Sequence, residues 1–321
     1  MPPRPHPSAH THAHTPVHTH VRDHGGDGPP LVLLHGAGRS LADWDAVAPL
    51  LVPRHRVLAV DLPGHGRSPP LVGPWSFDAM TEVLADVLRS YGIPDAVPVG
   101  HSLGGMIALR YAAGHAPVTP GAINLDGFWW GRPVQYPDLD PAVVEQGLAR
   151  IGGMTRAAVG GIVPAEYVEQ QVAYAALFGI PPERAEATTR ASVRELPDGR
   201  FQLLPERASA LEMYDALDAL DLMALLRAMP CPALCVRGRR AQPPMPGLAW
   251  LDELFGAYAK GLDRDLARIA QTRPTTAPLT VEDLDATHAM LLEEPEEVAA
   301  RVLAFTETLG GQPKVRNSHG D

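Results

Sequence analysis

Cysteine is nearly missing from this chain: Cys231 and Cys235 are the only two among 321 residues. They sit close together on one strand-like apolar run, so packing explains them better than a disulfide. They neither require nor exclude an oxidising compartment. No apolar run approaches the ~20 residues of a membrane span, and the N-terminus has no apolar signal core. The expectation from these two absences is a soluble, cytoplasmic protein. An excess of basic residues is missing too. The formal net charge is −10, which argues against nucleic acid or an anionic membrane as partner.

What is present suits one large α/β domain with room for an inserted subdomain: 45% hydrophobic and 20% charged residues. The first stretch, 1–16, is rich in proline and histidine. It reads as a disordered tail rather than a metal centre, because no cysteine or carboxylate lies near to complete a site. The alternation around Val21 and Arg22 suits an edge strand. Leu31–Leu34, Arg56–Val60, Val97–Gly100, Ala122–Leu125 and Pro232–Gly238 read as buried parallel strands, and Leu279–Asp283 as a last short one. Helices are predicted over about 41–51, 77–91, 207–228, 239–271 (with a loop) and 295–309. From Phe128 to about Pro205 the pattern changes to amphipathic helices over about 141–151, 164–178 and 183–194. This segment reads as an inserted helical cap between core segments 17–127 and 206–310, with 311–321 a polar tail.

The most informative stretch is Gly100-His101-Ser102-Leu103-Gly104-Gly105. A strand precedes it and a helical pattern follows, the context in which G-x-S-x-G forms a tight turn that exposes a strained serine. The N–H after the serine then lies at a helix N-terminus, aimed where an oxyanion would form. His35, Asp61, Asp126 and His288 likewise fall where strands end, and functional groups gather at the carboxyl ends of parallel strands.

With His35-Gly36-Ala37-Gly38, Asp61-Leu62-Pro63-Gly64-His65-Gly66-Arg67-Ser68, the serine turn and Thr287-His288 in this order, the chain resembles the α/β-hydrolase superfamily over about 17–310. The resemblance implies a mostly parallel eight-stranded sheet and a serine–acid–histidine triad in that chain order. Ser102 is then the nucleophile and His288 the general base, with the N–H groups of Leu103 and Ala37 as oxyanion donors. His35, Asp61 and His65 read as loop scaffolding, and His101 as a variable position beside the pocket. No cofactor or metal is expected at the site.

One position departs from the pattern. Many members carry the acid in a Gly-x-x-Asp turn after the strand equivalent to Pro232–Arg237, and here Ala241 stands in its place. Asp126, at the end of the strand after the nucleophile helix, is the best replacement, as in some haloalkane dehalogenases, lactonases and cofactor-free ring-opening dioxygenases. Asp252 or Glu253 is the runner-up. A serine nucleophile argues against dehalogenases and epoxide hydrolases.

Phe128, Trp129 and Trp130 are candidates for the pocket wall above Ser102, with Met154, Tyr167, Tyr174, Phe178 and Tyr214 behind them. No cluster of Arg or Lys accompanies a motif, so a small, neutral, hydrophobic ester or lactone is the expected substrate. The alternatives are a cofactor-free dioxygenase of a heteroaromatic ring, a C–C bond hydrolase, and a non-catalytic binder on this fold. The choice of acid gives a first prediction. Asp126→Asn lowers ester turnover by orders of magnitude with the fold intact by circular dichroism, whereas Asp252→Asn does not. The reverse ranking places the acid on the wrong element.

Overall fold

The computed structural model describes residues 19–241 and 248–310. The tail readings for 1–16 and 311–321 fall outside these residues. Strand β1 (Val21–Gly25) is the foreseen edge strand and pairs antiparallel with β3 (Arg56–Val60). Between them in sequence lie β2 (Pro30–Leu34) and the short helix α1 (Ala48–Leu51). Helix α2 (Phe77–Ser90), β4 (Val97–His101), α3 (Leu103–Gly114) and β5 (Ala122–Leu125) follow.

The stretch 128–205, read from sequence as an insert, holds α4 (Pro141–Ala158), β6 (Ile162–Val163), α5 (Tyr167–Ala176), α6 (Pro182–Ala191), β7 (Val193–Glu195) and β8 (Phe201–Leu203). The chain returns through α7 (Arg207–Ala219), α8 (Leu222–Ala228), β9 (Ala233–Gly238), α9 (Ala249–Thr272) and β10 (Leu279–Leu284). It closes with α10 (Met290–Glu293) and α11 (Pro295–Gly310).

Among the described residues the main sheet has seven strands, in the order β1-β3-β2-β4-β5-β9-β10, rather than the eight implied by the resemblance. All pairs but β1–β3 are parallel. Side chains alternate across it with period two. Val32, Leu34, Leu58 and Val60 face one core with residues of α2, α3, α8 and α9. Leu31, Leu33, Val57, Ala59, Val97, Val99, Ile123 and Leu125 face the other, with Trp44, Val298, Val302 and Phe305. Each fully buried aliphatic side chain contributes about 1.5–3 kcal/mol relative to exposure, so the two covered faces hold the helices against the sheet.

Three local readings change. The helix expected over 41–51 breaks into a 3₁₀ turn, Leu41–Trp44, and α1, which starts afresh with a proline in its first turn. Helix α4 runs on to Ala158, through Gly152 and Gly153, which resemble a stop signal in sequence but lie inside it. The insert is not purely helical: β6, β8 and β7 form a three-stranded antiparallel sheet. Its strands of two or three residues are too short to show alternation. Helix α9 also crosses a boundary. Leu262, Leu266 and Ile269 pack in the main core, while Leu251, Leu254 and Ala257 join Tyr136, Val144 and Ile151 in a separate cluster with the insert.

Helix α3 is buried on nearly every side from Leu103 to Leu109, which fits its apolar sequence. Its first turn presses so closely on β2 that a Cβ on Gly104 would lie 2.3 Å from the Leu34 carbonyl oxygen. Gly104→Ala is therefore expected to cost about 3 kcal/mol or more. Gly256, inside α9, has open space where a Cβ would go, and Gly256→Ala is expected to gain up to about 1 kcal/mol. Urea unfolding of both variants checks the contrast; two equal effects contradict it.

Candidate active site

Ser102 sits between β4 and α3 with φ 54° and ψ −120°. For a non-glycine residue this region costs on the order of 1–3 kcal/mol, and surrounding contacts hold it. The Ser102 N–H donates to the Leu125 carbonyl at 2.9 Å. Gly100 lies where a Cβ would meet the Gly104 backbone at 2.0 Å. The hydroxyl is thereby lifted off the sheet edge. Leu103 opens α3, so its N–H is one of those a helix leaves without an internal acceptor. Ala37 and Gly36 line the same cavity as Ser102.

The neighbouring strand end carries a second left-handed residue, Asp126, with φ 51°. Buried Asn124 holds that turn as a clamp: its amide nitrogen donates to the Gly127 carbonyl at 3.0 Å, and its Oδ1 accepts from the Gly127 N–H at 2.8 Å. The Asp126 N–H donates to Val236 at 2.8 Å, and its Oδ1 accepts from the Gly238 N–H at 3.1 Å. The carboxylate thus leans over the end of β9, close to the turn where Ala241 offers no acid. Burial pushes this carboxyl up, but the hydrogen bond and charge of His288, with the Gly238 N–H, outweigh it and hold it below the ordinary carboxylate value.

His288 follows β10. Its Nδ1 lies 2.7 Å from Asp126 Oδ2 and its Nε2 lies 3.1 Å from Ser102 Oγ. With Nδ1–H given to the carboxylate, Nε2 is left to accept the serine proton. The loop is fixed on both sides. The Thr287 N–H donates to Glu293 at 2.9 Å, and its hydroxyl to the same carboxylate. His101 Nε2–H donates to the His288 carbonyl at 2.7 Å, its ring 4.8 Å from that of His288. Three sequence-predicted residues, Ser102, Asp126 and His288, are therefore brought together. Asp252 and Glu253 lie near the start of α9, both exposed, and the carboxylate on His288 Nδ1 is that of Asp126.

The scaffold readings fit the contacts. His35 Nε2 accepts from the Leu62 N–H at 2.9 Å while Nδ1–H donates to Gly36 at 2.8 Å. Asp61 accepts from the N–H groups of Leu41 and Arg67 at 2.8 and 2.9 Å. Burial raises the thiols of Cys231 and Cys235 to about 11 and about 12, so neither is a ready nucleophile. Among the described residues no group of three or more His, Cys, Asp or Glu side chains is placed to hold a metal ion, and no helix is long and apolar enough to cross a membrane.

The pocket reading needs correction. A cavity of about 260 Å³ opens beside Ser102 and His288, and Tyr174, Phe178 and Ile180 from the insert line it with Leu291 and Leu292. Phe128, Trp129 and Trp130 are not part of it. Phe128 packs against the main core. Trp129 and Trp130 line a separate cavity of about 480 Å³. Trp129 is turned there by Tyr214, 5.4 Å away, and by its N–H to Asp218 at 2.6 Å; Trp130 stacks on Phe255 at 5.2 Å. Of the weaker candidates, Tyr174 and Phe178 line the serine cavity, Tyr167 and Tyr214 line a third one, and Met154 is exposed. Sequence reasoning missed Arg39 and Asp43, which line the serine cavity as an ion pair. Their four-residue spacing just after the His35–Gly38 motif was the available signal.

A strained serine, a histidine and a carboxylate meet at the carboxyl edge of a mostly parallel sheet covered by helices on both faces, an α/β architecture. A model described as the alpha/beta hydrolase family matches residues 31–301, and the chain belongs to that family. It is 33% identical over 217 residues to a pimeloyl-[acyl-carrier protein] methyl ester esterase of Methylococcus capsulatus, covering 67% of this chain and 77% of that one. It is 32% identical over 260 residues to Lipase LipV of Mycobacterium tuberculosis, covering 78% and 92%. The crystal structure of E-2-(acetamidomethylene)succinate hydrolase superposes with a TM-score of 0.66 at 22% identity, over 90% of this chain and 95% of that one, a likeness of fold.

The buried histidines give a pH prediction. Burial lowers His65 from 6.5 to about 3 and His101 from 6.5 to about 4. Both are neutral in the fold, while the unfolded chain takes up protons near 6.5. Stability is thus complete above that pH and is lost as pH falls toward the folded values, by about 2 kcal/mol per histidine at pH 5. His101→Gln, which keeps a donor for the His288 carbonyl, is expected to lose about 2 kcal/mol less than the parent between pH 7 and pH 5 in urea unfolding. An unchanged loss contradicts the assignment.

Proposed function

We propose that the protein hydrolyses a small neutral carboxylic ester or lactone through an acyl-enzyme on Ser102. The observation that carries this reading is the continuous chain of contacts from Asp126 Oδ2 to His288 Nδ1, 2.7 Å, and from His288 Nε2 to Ser102 Oγ, 3.1 Å. His288 takes the serine proton as Oγ attacks the carbonyl carbon, and Asp126 stabilises the imidazolium that results. The developing oxyanion lies against the N–H groups of Leu103 and Ala37; one such donor is worth roughly 100–1,000-fold in rate. His288 then protonates the leaving alcohol, and a water activated by the same imidazole releases the acid.

Helices α5 and α6 serve as a cap, since Tyr174, Phe178 and Ile180 wall the serine cavity from above the sheet edge. A cavity of about 260 Å³ with apolar walls favours a small substrate. The esterase and lipase among the relatives support ester chemistry.

A fluorophosphonate probe tests the reading. The expected result is one adduct, on Ser102, with p-nitrophenyl ester turnover lost in Ser102→Ala. A protein that neither labels there nor cleaves such esters overturns it.

A further inference from the structure

The serine cavity contains one feature that apolar ester binding does not use. Among the described residues that line it, the only Arg, Lys, Asp or Glu side chains are Arg39 and Asp43. They form a forked pair: Nε to Oδ2 at 2.8 Å and Nη2 to Oδ1 at 2.7 Å. Asp43 is almost wholly buried, whereas the Arg39 side chain retains 30% exposure. Both sit on a rigid support. The Arg39 N–H closes a turn on the Gly36 carbonyl at 3.2 Å. Ser40 caps the 3₁₀ turn that carries Asp43, and the Leu41 N–H is tied to Asp61 at 2.8 Å. Trp44 is fully buried at the end of that turn. The fork uses the Nε proton and one Nη2 proton, and among the described residues nothing accepts from Nη1, which carries two more.

We propose that Arg39, held and neutralised by Asp43, is a specificity-determining residue of the Ser102 cavity and selects esters carrying a neutral hydrogen-bond acceptor on a side arm. The proposal rests on the ester reading above and narrows its substrate class. A guanidinium alone would favour a carboxylate. Here the pair carries no net charge, and a second carboxylate would share one cation with Asp43 while giving up its own water. A ketone, amide or ether oxygen takes an Nη1 proton without either cost. A methyl group in the same place leaves a partly buried donor dry.

The test compares kcat/KM for p-nitrophenyl hexanoate, its analogue ending in a methyl ketone and its analogue ending in a carboxylate. A matched series places the same groups on the alcohol. In one series the ketone is expected to lead both others by about 5- to 10-fold. Asp43→Asn keeps the shape but leaves Arg39 with its charge, and the carboxylate is expected to become the best of the three, by at least about 10-fold. Arg39→Gln combined with Asp43→Asn removes both preferences. Variants are scored only after fluorophosphonate labelling at Ser102 shows an assembled site, and the wild-type ranking stands as a test even where a variant fails to fold. Turnover with no ketone preference in either series, or an Asp43→Asn ranking unchanged from wild type, overturns this proposal and leaves the ester reading standing. No turnover of any ester overturns both.

Discussion

The approach of α3 to the sheet edge is the contact on which the site depends. With hydrogens alone at Gly100 and Gly104, the first turn of the helix meets the backbone of β2 and β4 directly. Ser102 is then forced into its left-handed conformation and its hydroxyl stands clear of the sheet. A single methyl group at Gly104 would collide with the Leu34 carbonyl, so the exposure of the Ser102 hydroxyl and the packing of the two layers are one constraint. The large apolar burial on both faces of the sheet supplies the free energy that holds the strain.

The carboxylate beside His288 is set by a second backbone feature of the same kind. Asp126 is also left-handed, and Asn124 clamps its turn from within the buried strand. Because β5 lies between β4 and β9, a carboxylate at its end reaches both the His288 imidazole and the Gly238 N–H. The Asp126 carboxylate therefore stands one strand nearer Ser102 than a Gly-x-x-Asp turn after β9 would put it. The geometry at His288 needs a carboxylate near the end of β9 and does not depend on which strand supplies it.

Much of this was legible in the sequence because the motifs are local. A strand run, a small residue, a serine and a helical pattern are contiguous at Val97–Tyr111, and the turn follows from them. Asp126 was legible by the vacancy at Ala241 together with its place at a strand end. The insert was less so. Its strands are too short for a period, and the direction in which Trp129 and Trp130 turn is set by Tyr214, Asp218 and Phe255, far away in sequence. Arg39 and Asp43 were visible as a spacing but not as a pair, because their meeting depends on a 3₁₀ turn anchored by Asp61.

In the proposed reaction Ser102, activated by His288 and Asp126, carries the acyl group. Rapid mixing with p-nitrophenyl acetate, acid quench within the first turnover and peptide mass mapping test it most directly. An acetyl group is expected on the peptide that contains Ser102, formed together with the first equivalent of nitrophenolate. Nitrophenolate released with the acetyl group on another residue, or with no acetylated peptide at any time, would contradict it.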